Sequence, residues 1–293
     1  TMASSFPSIY RRIKSVVVHE GVKNICVDMF KDCTSLENVV MSEGVTNIAT
    51  RAFEFCSSLR NIKFPTGLIA MGPEAFFGCA ALERVELPDM LLEVPQDAFY
   101  DCTNIRELII GRGVANISGA AFFNCAELRR VVVTSNVRTI GVNAFAGCTC
   151  IDDVKIEDLE SWGQISFGNE YANPCWPGVH FHVNGRELEK LELDGDSGVV
   201  RGFAYCGCKG VKELVLNEGI CSVGECAFKN CEALERVNIP STLTRSEYGA
   251  FSGCPKIRHA EFRSFPNAHY LCSGPIEKPL VNGLYPRINV HVH

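Results

Sequence analysis

The chain has 293 residues, a formal net charge of -6 and hydrophobic residues at 46% of its positions. This length is enough for one large domain or two ordinary ones. The acidic balance argues against a protein that binds nucleic acid through phosphate contacts, and no apolar run is long enough to span a membrane.

A repeat of 23 residues begins close to the N-terminus. Each copy carries the motif Ala-Phe-x-x-Cys or a close variant of it. The aromatic position recurs at Phe30, Phe53, Phe76, Phe99, Phe122, Phe145 and, after a break, Phe228 and Phe251. The cysteine follows three residues later, at Cys33, Cys56, Cys79, Cys102, Cys125, Cys148, Cys231 and Cys254. A fixed period of this length is typical of a solenoid of stacked coils.

The second half of each copy has apolar residues at positions i, i+3 and i+5, which favours a strand of the leucine-rich-repeat kind. Eleven such segments begin at Ile13, Leu36, Leu59, Leu82, Ile105, Leu128, Ile151, Leu188, Val211, Leu234 and Ile257. Ordering one coil costs about 35 kcal/mol, and five large apolar side chains recover only about 10–15 kcal/mol. Because the coils must therefore stack, we predict a right-handed leucine-rich-repeat solenoid of about eleven coils, with a continuous parallel β-sheet on its concave face.

Stacking places the repeated phenylalanines in one buried column and the repeated cysteines in another, at a spacing of about 5 Å. The Cβ atoms of neighbouring cysteines then lie about 5 Å apart, farther than the roughly 3.8 Å of a disulfide. We expect free thiols that pack as small hydrophobic side chains. They are predicted to be a structural ladder, and neither zinc ligands nor nucleophiles.

The period breaks once, where the strands at Ile151 and Leu188 lie 37 residues apart. The break predicts five segments: an N-terminal flank at 1–12, a first repeat block at 13–156, an irregular insert at 157–187, a second repeat block at 188–262, and the start of a second insert at 263–293. Residues 172–183 align with residues 281–292. We therefore expect the array to continue beyond residue 293 and residues 257–262 to form an unpaired edge strand.

Both tryptophans of the chain, Trp162 and Trp176, lie in the first insert. The insert is interpreted either as a packed loop that lets the solenoid bend, or as an exposed aromatic loop that contacts a partner. In the irregular copy that follows, the ungapped phase favours Tyr205 and Cys208 as the column residues.

Catalytic or metal chemistry has little support. His180 and His182 share one face of a predicted strand with the spacing of a metal pair, but no third ligand has a defined spacing. Neither an activated nucleophile nor a phosphate-binding glycine loop is indicated. We expect no catalytic residue, no metal site, no cofactor and no enzymatic activity.

Outward-facing strand positions combine arginine with apolar side chains at one place, over three consecutive coils. These residues are Arg84, Arg106, Ile109, Arg129, Arg130 and Val132. Arginine beside apolar surface is typical of binding hot spots, which predicts contact with an acidic or mixed protein surface. The alternative is that these arginines pair with Glu83, Glu86 and Glu107 of the same chain.

The repeat resembles the BspA-type leucine-rich repeat, whose 23-residue unit carries Ala-Phe-x-x-Cys-x-x-Leu in the order seen from Ala52 to Leu59. The resemblance extends over residues 13–262. It implies surface-exposed or secreted proteins of anaerobic bacteria and parasitic protists that act in adhesion and bind host proteins, without catalytic residues. We therefore expect a protein-binding solenoid at the cell surface or secreted. An intracellular, cytoplasmic scaffold of structural or signalling type is the alternative.

Overall fold

The computed structural model describes residues 10–262 and 289–292, which form a solenoid of parallel β-strands. Within those residues, each coil contributes one strand to a main sheet face and most coils add a short strand to a second face. All eleven predicted strands are present, so the predicted solenoid is confirmed. No helix in this part of the chain is both long and apolar enough to cross a bilayer.

The main face is formed by β1 (Ser15–Val18), β3 (Asn38–Met41), β5 (Asn61–Ile62), β7 (Arg84–Glu86), β9 (Glu107–Ile109), β11 (Arg130–Val133), β13 (Asp153–Ile156), β15 (His180–Val183), β17 (Lys190–Leu193), β19 (Glu213–Leu216), β21 (Arg236–Ile239), β23 (His259–Phe262) and β24 (Asn289–Val292). The second face is formed by β2 (Asn24–Ile25), β4 (Asn47–Ile48), β6 (Ala70–Met71), β8 (Glu93–Val94), β10 (Asn116–Ile117), β12 (Thr139–Ile140), β14 (Ser166–Phe167), β18 (Val199–Val200), β20 (Ser222–Val223) and β22 (Arg245–Ser246). The short β16 (Arg186–Glu187) runs antiparallel to β15.

We predicted one continuous sheet on this face, but the structure has three separate hydrogen-bonded sheets. Their strands are β1, β3 and β5 in the first, β7, β9, β11, β13, β15 and β16 in the second, and β17, β19, β21, β23 and β24 in the third. The first interruption lies at two prolines. Ser42 donates its backbone N–H to the Val18 carbonyl at 3.0 Å, whereas Pro65 and Pro88 occupy the same position in the next two coils. Because proline has no N–H to donate, the ladder opens between β5 and β7.

The predicted open edge at residues 257–262 is wrong. Strand β24 pairs with β23 in parallel register, with Asn289 opposite His259. Strand β24 pairs with β23 in the same way that β15 pairs with β13 in the first insert, where His180 lies opposite Asp153. The alignment of the two inserts therefore reflects a shared pairing role, and the edge is covered by residues 289–292. Residues 263–288 and 293 lie outside the described part of the chain.

Two left-handed residues flank the repeated aromatic residue and turn the chain sharply. Around Phe53 these are Arg51 and Phe55, with φ of 54° and 58°. The same positions are occupied by Asp97 and Asp101 around Phe99. Aspartate, asparagine and glycine tolerate this conformation best. The turn therefore restricts the residue types at these two flanking positions, which burial in the columns does not restrict.

The aromatic column is continuous within each block. The rings of Phe53 and Phe76 stack with centroids 5.1 Å apart, and Phe76 stacks on Phe99 at 5.3 Å. In the second block, Tyr205 stacks on Phe228 at 5.7 Å, which confirms the phase predicted for the irregular copy. The ring contacts follow the coil spacing, so burial and stacking stabilise the same register.

The cysteine column is held by hydrogen bonds as well as by burial. The Sγ of Cys79 donates to the Phe53 carbonyl at 3.2 Å, and that of Cys102 to the Phe76 carbonyl at 3.1 Å. The same bond to the preceding coil is made by Cys56, Cys125, Cys148, Cys231 and Cys254. The cysteines among the described residues are free thiols. A thiol at this position thus fills volume and also satisfies a buried carbonyl.

The insert contains an enlarged coil. It begins with the short helix α1 (Leu159–Gly163), adds β14 to the second face, passes through a 3-10 turn at Glu170–Ala172, and adds β15 to the main face. The strand step across this coil is 27 residues, from Asp153 to His180. The β15–β16 hairpin then separates the sheet of the first block from β17.

Candidate protein-binding surface

The six residues predicted to bind a partner lie together on the first block. They are Arg84 on β7, Arg106 before β9, Ile109 on β9, Arg129 before β11, and Arg130 and Val132 on β11. Parallel register brings them onto three adjacent coils. Two rows of charged side chains result, an inner row at the first position of each strand and an outer row one residue earlier.

The inner row is a ladder of ion pairs within the chain. Arg84 contacts Glu107 at 2.9 Å, Glu107 contacts Arg130 at 3.4 Å, and Arg130 contacts Asp153 at 3.0 Å. The hydrogen bond to Asp153 raises the pKa of Arg130 above its ordinary value. Arg84 and Arg130 are therefore already paired within the chain, as the alternative interpretation predicts, although exposed pairs of this kind stabilise a fold by only about 0–1 kcal/mol.

Opposite charges also alternate along the outer row. Facing pairs include Lys14–Glu37 at 3.8 Å, Arg60–Glu83 at 3.8 Å and, in the second block, Glu189–Lys212 at 3.1 Å. The alternation fails where Arg106 is followed by Arg129. Arg129 contacts only Glu127, at 3.5 Å, and Arg106 has no ion pair among residues 10–262. An excess of positive charge is therefore confined to these two positions.

The apolar part of the surface is smaller than predicted. Ile109 and Val132 are opposite each other on β9 and β11 but only half-exposed. The more exposed pair on the main face is Val17 and Val40, with 57% and 60% of their surface accessible. This pair lies on the first two coils, away from the arginines, so the two features of a hot spot are only partly combined.

Both tryptophans of the insert make hydrogen bonds inside the fold, which favours the packed loop over the exposed aromatic loop. Trp162 is only 2% exposed, and its indole N–H donates to the Ala204 carbonyl at 2.7 Å. The indole of Trp176 donates to the Phe145 carbonyl at 2.9 Å, the bond that a column thiol makes in the regular coils. Because each polar tip is satisfied inside the fold, the insert is a packed connection between the blocks.

The two histidines point to different carboxylates. Nδ1 of His180 lies 2.5 Å from Glu187, and Nδ1 of His182 lies 2.9 Å from Asp153. The hydrogen bond from His180 holds the pKa of Glu187 below its usual value. No group of three side chains in the described ranges is arranged to hold a metal ion.

The buried thiols have the electrostatics of structural residues. Burial raises the pKa of Cys33 to about 11 and that of Cys206 to about 12. The thiolate is the nucleophilic and metal-binding form, so raised pKa values suppress both kinds of chemistry at neutral pH.

Two features of the insert were not predicted from the sequence. Cys175 enters the thiol column and hydrogen-bonds to Cys208, but its irregular spacing hid it. Buried Asn173 donates to the Phe203 carbonyl at 2.6 Å and accepts from the Cys175 N–H at 2.8 Å.

Several solved structures are similar to this chain. The leucine-rich repeat protein TpLRR of T. pallidum is 27% identical, with a TM-score of 0.50, over 56% of this chain and 77% of its own. A leucine-rich repeat protein from Bacteroides ovatus is 18% identical, with a TM-score of 0.46, over 97% and 84% of the two chains. The pneumococcal vaccine antigen PcpA is 17% identical, with a TM-score of 0.43, over 86% and 63%.

No curated protein matches the chain in sequence. The family model for the BspA-type leucine-rich repeat region matches residues 3–125, 52–172 and 181–272, with six copies of the repeat. These matches extend over nearly the whole chain and over the same coils that the structure shows. The chain therefore belongs to the BspA-type leucine-rich repeat family.

Proposed function

We propose that this chain is a non-enzymatic solenoid that binds a protein partner on its main face, at a surface centred on Arg106 and Arg129. The observation that carries the proposal is the break in charge alternation at these two residues. Two exposed guanidinium groups beside Ile109 and Val132 suit carboxylates set in a mixed apolar surface. The partner is expected to be a protein, and nucleic acid is not expected because the chain is acidic.

The rigidity of the face supports this role. Strand β11, at the centre of this surface, is hydrogen-bonded to β9 on one side and to β13 on the other. A surface that is ordered before contact loses little conformational entropy on binding. Membership of a leucine-rich repeat family supports binding more than catalysis, although fold alone does not assign a function.

We further propose a surface or secreted location, with a role in adhesion or contact with host proteins. The support is the family resemblance. The rival is an intracellular scaffold that organises a structural or signalling assembly. Protease treatment of intact cells of the source organism separates the two: cleavage before lysis supports display, and protection until lysis supports the scaffold.

The binding surface is tested by changing Arg106 and Arg129 together to glutamate. Neither change breaks a close ion pair of the inner row, so folding should be retained, in contrast to a change at Arg130. The matched control is Arg258→Glu, an exposed outer-row arginine of the second block. Against a partner captured by the parent protein, the double variant should bind at least about tenfold more weakly. Equal affinity of parent and double variant would reject this surface.

A further inference from the structure

The aromatic column contains one polar member. Eight of its positions are phenylalanine, and the remaining one is Tyr205. The residue is only 2% exposed, yet its hydroxyl has no hydrogen-bond partner among residues 10–262. A side chain built at Gly163 would place its Cβ 2.9 Å from the Tyr205 oxygen, so glycine there leaves room for the hydroxyl. The hydroxyl borders an open cleft instead of being enclosed by protein, so it is available to a ligand there.

The hydroxyl lines a cleft of about 200 Å³ between α1 and the first coil of the second block. Four carboxylates surround the cleft: Glu160, Glu192, Asp194 and Asp196. The positive groups beside them are Arg201, which also lines the cleft, and Lys190, which contacts Glu192 at 3.1 Å. The carboxylates outnumber the cations by two. Burial raises the pKa of Tyr205, so the hydroxyl stays protonated at neutral pH.

The cleft also lies beside free strand edges. Among the described residues, β17 pairs with β19 alone in the sheet of the second block, and β18 pairs with β20 alone on the second face. The carbonyls of Glu189 and Leu193 accept N–H groups of the β19 coil, at 2.7 and 3.0 Å. Because successive residues of a strand point their backbone groups to opposite sides, the backbone groups of Lys190 and Glu192 face the unpaired side.

We propose that this cleft binds a lysine or arginine side chain carried on an extended segment of a protein partner. The cationic N–H groups donate to the carboxylates and to the Tyr205 oxygen, and the backbone of the segment pairs with the free edge of β17. The volume suits one long side chain, and the aliphatic stem of that side chain packs against Leu159 and Val199. This site is separate from the Arg106 and Arg129 surface, so either proposal can fail without the other.

The probe is the peptide acetyl-Thr-Val-Arg-Val-Thr-amide, compared with its glutamine analogue and with agmatine as a free guanidinium cation. Binding is followed by NMR of protein labelled at tyrosine. We expect a saturable shift of the Tyr205 signal with the arginine peptide, and affinities at least about tenfold weaker for the other two probes. Equal affinity for the glutamine peptide would exclude a cation site. Equal affinity for agmatine would exclude recognition of an extended segment.

Two variants test the residues. Tyr205→Phe restores the residue found at the other eight positions of the column, so the fold should be kept while the peptide binds about three- to tenfold more weakly. Asp194→Asn combined with Asp196→Asn should weaken binding by about tenfold or more. The matched control is Glu235→Gln, an exposed carboxylate outside the cleft. Unchanged affinity in both cleft variants, or no saturable shift at about 5 mM peptide, would overturn the proposal.

Discussion

Raising the pH from 8 to 10 should strongly destabilise this protein, because several of its thiols are too deeply buried to ionise readily in the native state. Eight thiols are at most 2% exposed and have raised pKa values. Burial is the main cause for Cys33, Cys56, Cys79, Cys125, Cys175 and Cys206. A hydrogen bond with a neighbouring thiol comes first, and burial second, for Cys208 and Cys231.

The magnitude follows from the difference between the folded and unfolded chains. An unfolded thiol loses its proton near pH 8.5, whereas burial raises the native pKa of Cys33 to about 11 and that of Cys206 to about 12, and it also raises the pKa of Cys56. The thiol contribution is therefore complete below about pH 8.5 and is lost as the pH rises toward the native values. Each of these three thiols costs about 2 kcal/mol between pH 8 and 10, so together they cost about 6 kcal/mol. This loss is comparable to the lower end of the unfolding free energy of an ordinary domain, about 5–15 kcal/mol.

The assay is urea unfolding followed by circular dichroism, at intervals from pH 7.5 to 10, with a phosphine reductant present. Replacing Cys79 by alanine lowers stability at every pH but removes one titrating group. Above about pH 9 the variant's free energy of unfolding should therefore fall by about 1.4 kcal/mol less per pH unit than that of the parent. The control is Cys26→Ala, at an exposed thiol outside the column, which should leave the slope unchanged. A urea midpoint that stays constant between pH 8 and 10 would refute the reasoning.

Two further changes test the turns and the insert. Ala120 is held at φ of 52°, so Ala120→Gly should raise the free energy of unfolding by about 1 kcal/mol. The control Ala126→Gly, outside the left-handed region, should lower it by about 0.5–1 kcal/mol. Denaturant titration measures both values, and a loss of stability in the Ala120 variant would contradict the strain argument. Asn173 is fully buried and hydrogen-bonds to Phe203, Ala204 and Cys175, so Asn173→Ala should cost about 2–4 kcal/mol. The control Asn104→Ala, at an exposed position outside the left-handed region, should change stability by less than about 0.5 kcal/mol, and equal effects of the two would show that the insert is not a packed connection.

The regular coils could be predicted because their period is carried by side chains that must be buried. Phe53 and Cys56 recur at a fixed spacing, so the columns, the strands and the stacking direction all follow from one pattern. Strand β15 was not counted among the eleven repeat strands because the 27-residue step of its coil differs from the period and places a short His-Phe-His-Val segment after a proline-rich turn. The residues of that coil do not align with the motif, although they perform the same roles.

The position of the candidate surface could be predicted from the sequence, but the ion pairs that its arginines make could not. Register on the main face follows from the repeat, so the neighbours of Arg130 in space are residues 23 positions away, Glu107 and Asp153. The predicted pairing partners included Glu107 but not Asp153, because that alternative considered only residues adjacent to the arginines in sequence or on the same strands. Reading charges along the solenoid axis identifies Arg106 and Arg129 as the exception directly. The same reading along the aromatic column identifies Tyr205.

The insert changes the kind of binding site that the solenoid offers. In the regular coils nearly every backbone group of a main strand is bonded to the coil before or after it, so only side chains are available to a partner. The enlarged coil preserves the core through Cys175 and through the Trp176 indole, which bonds to the Phe145 carbonyl. It nevertheless ends the first sheet at a hairpin and leaves β17 to start a new one. A solenoid interrupted in this way keeps one buried core while it gains an internal strand edge. We therefore expect recognition at the junction to depend on backbone pairing as well as charge, and recognition at the Arg106 and Arg129 surface to depend on side chains.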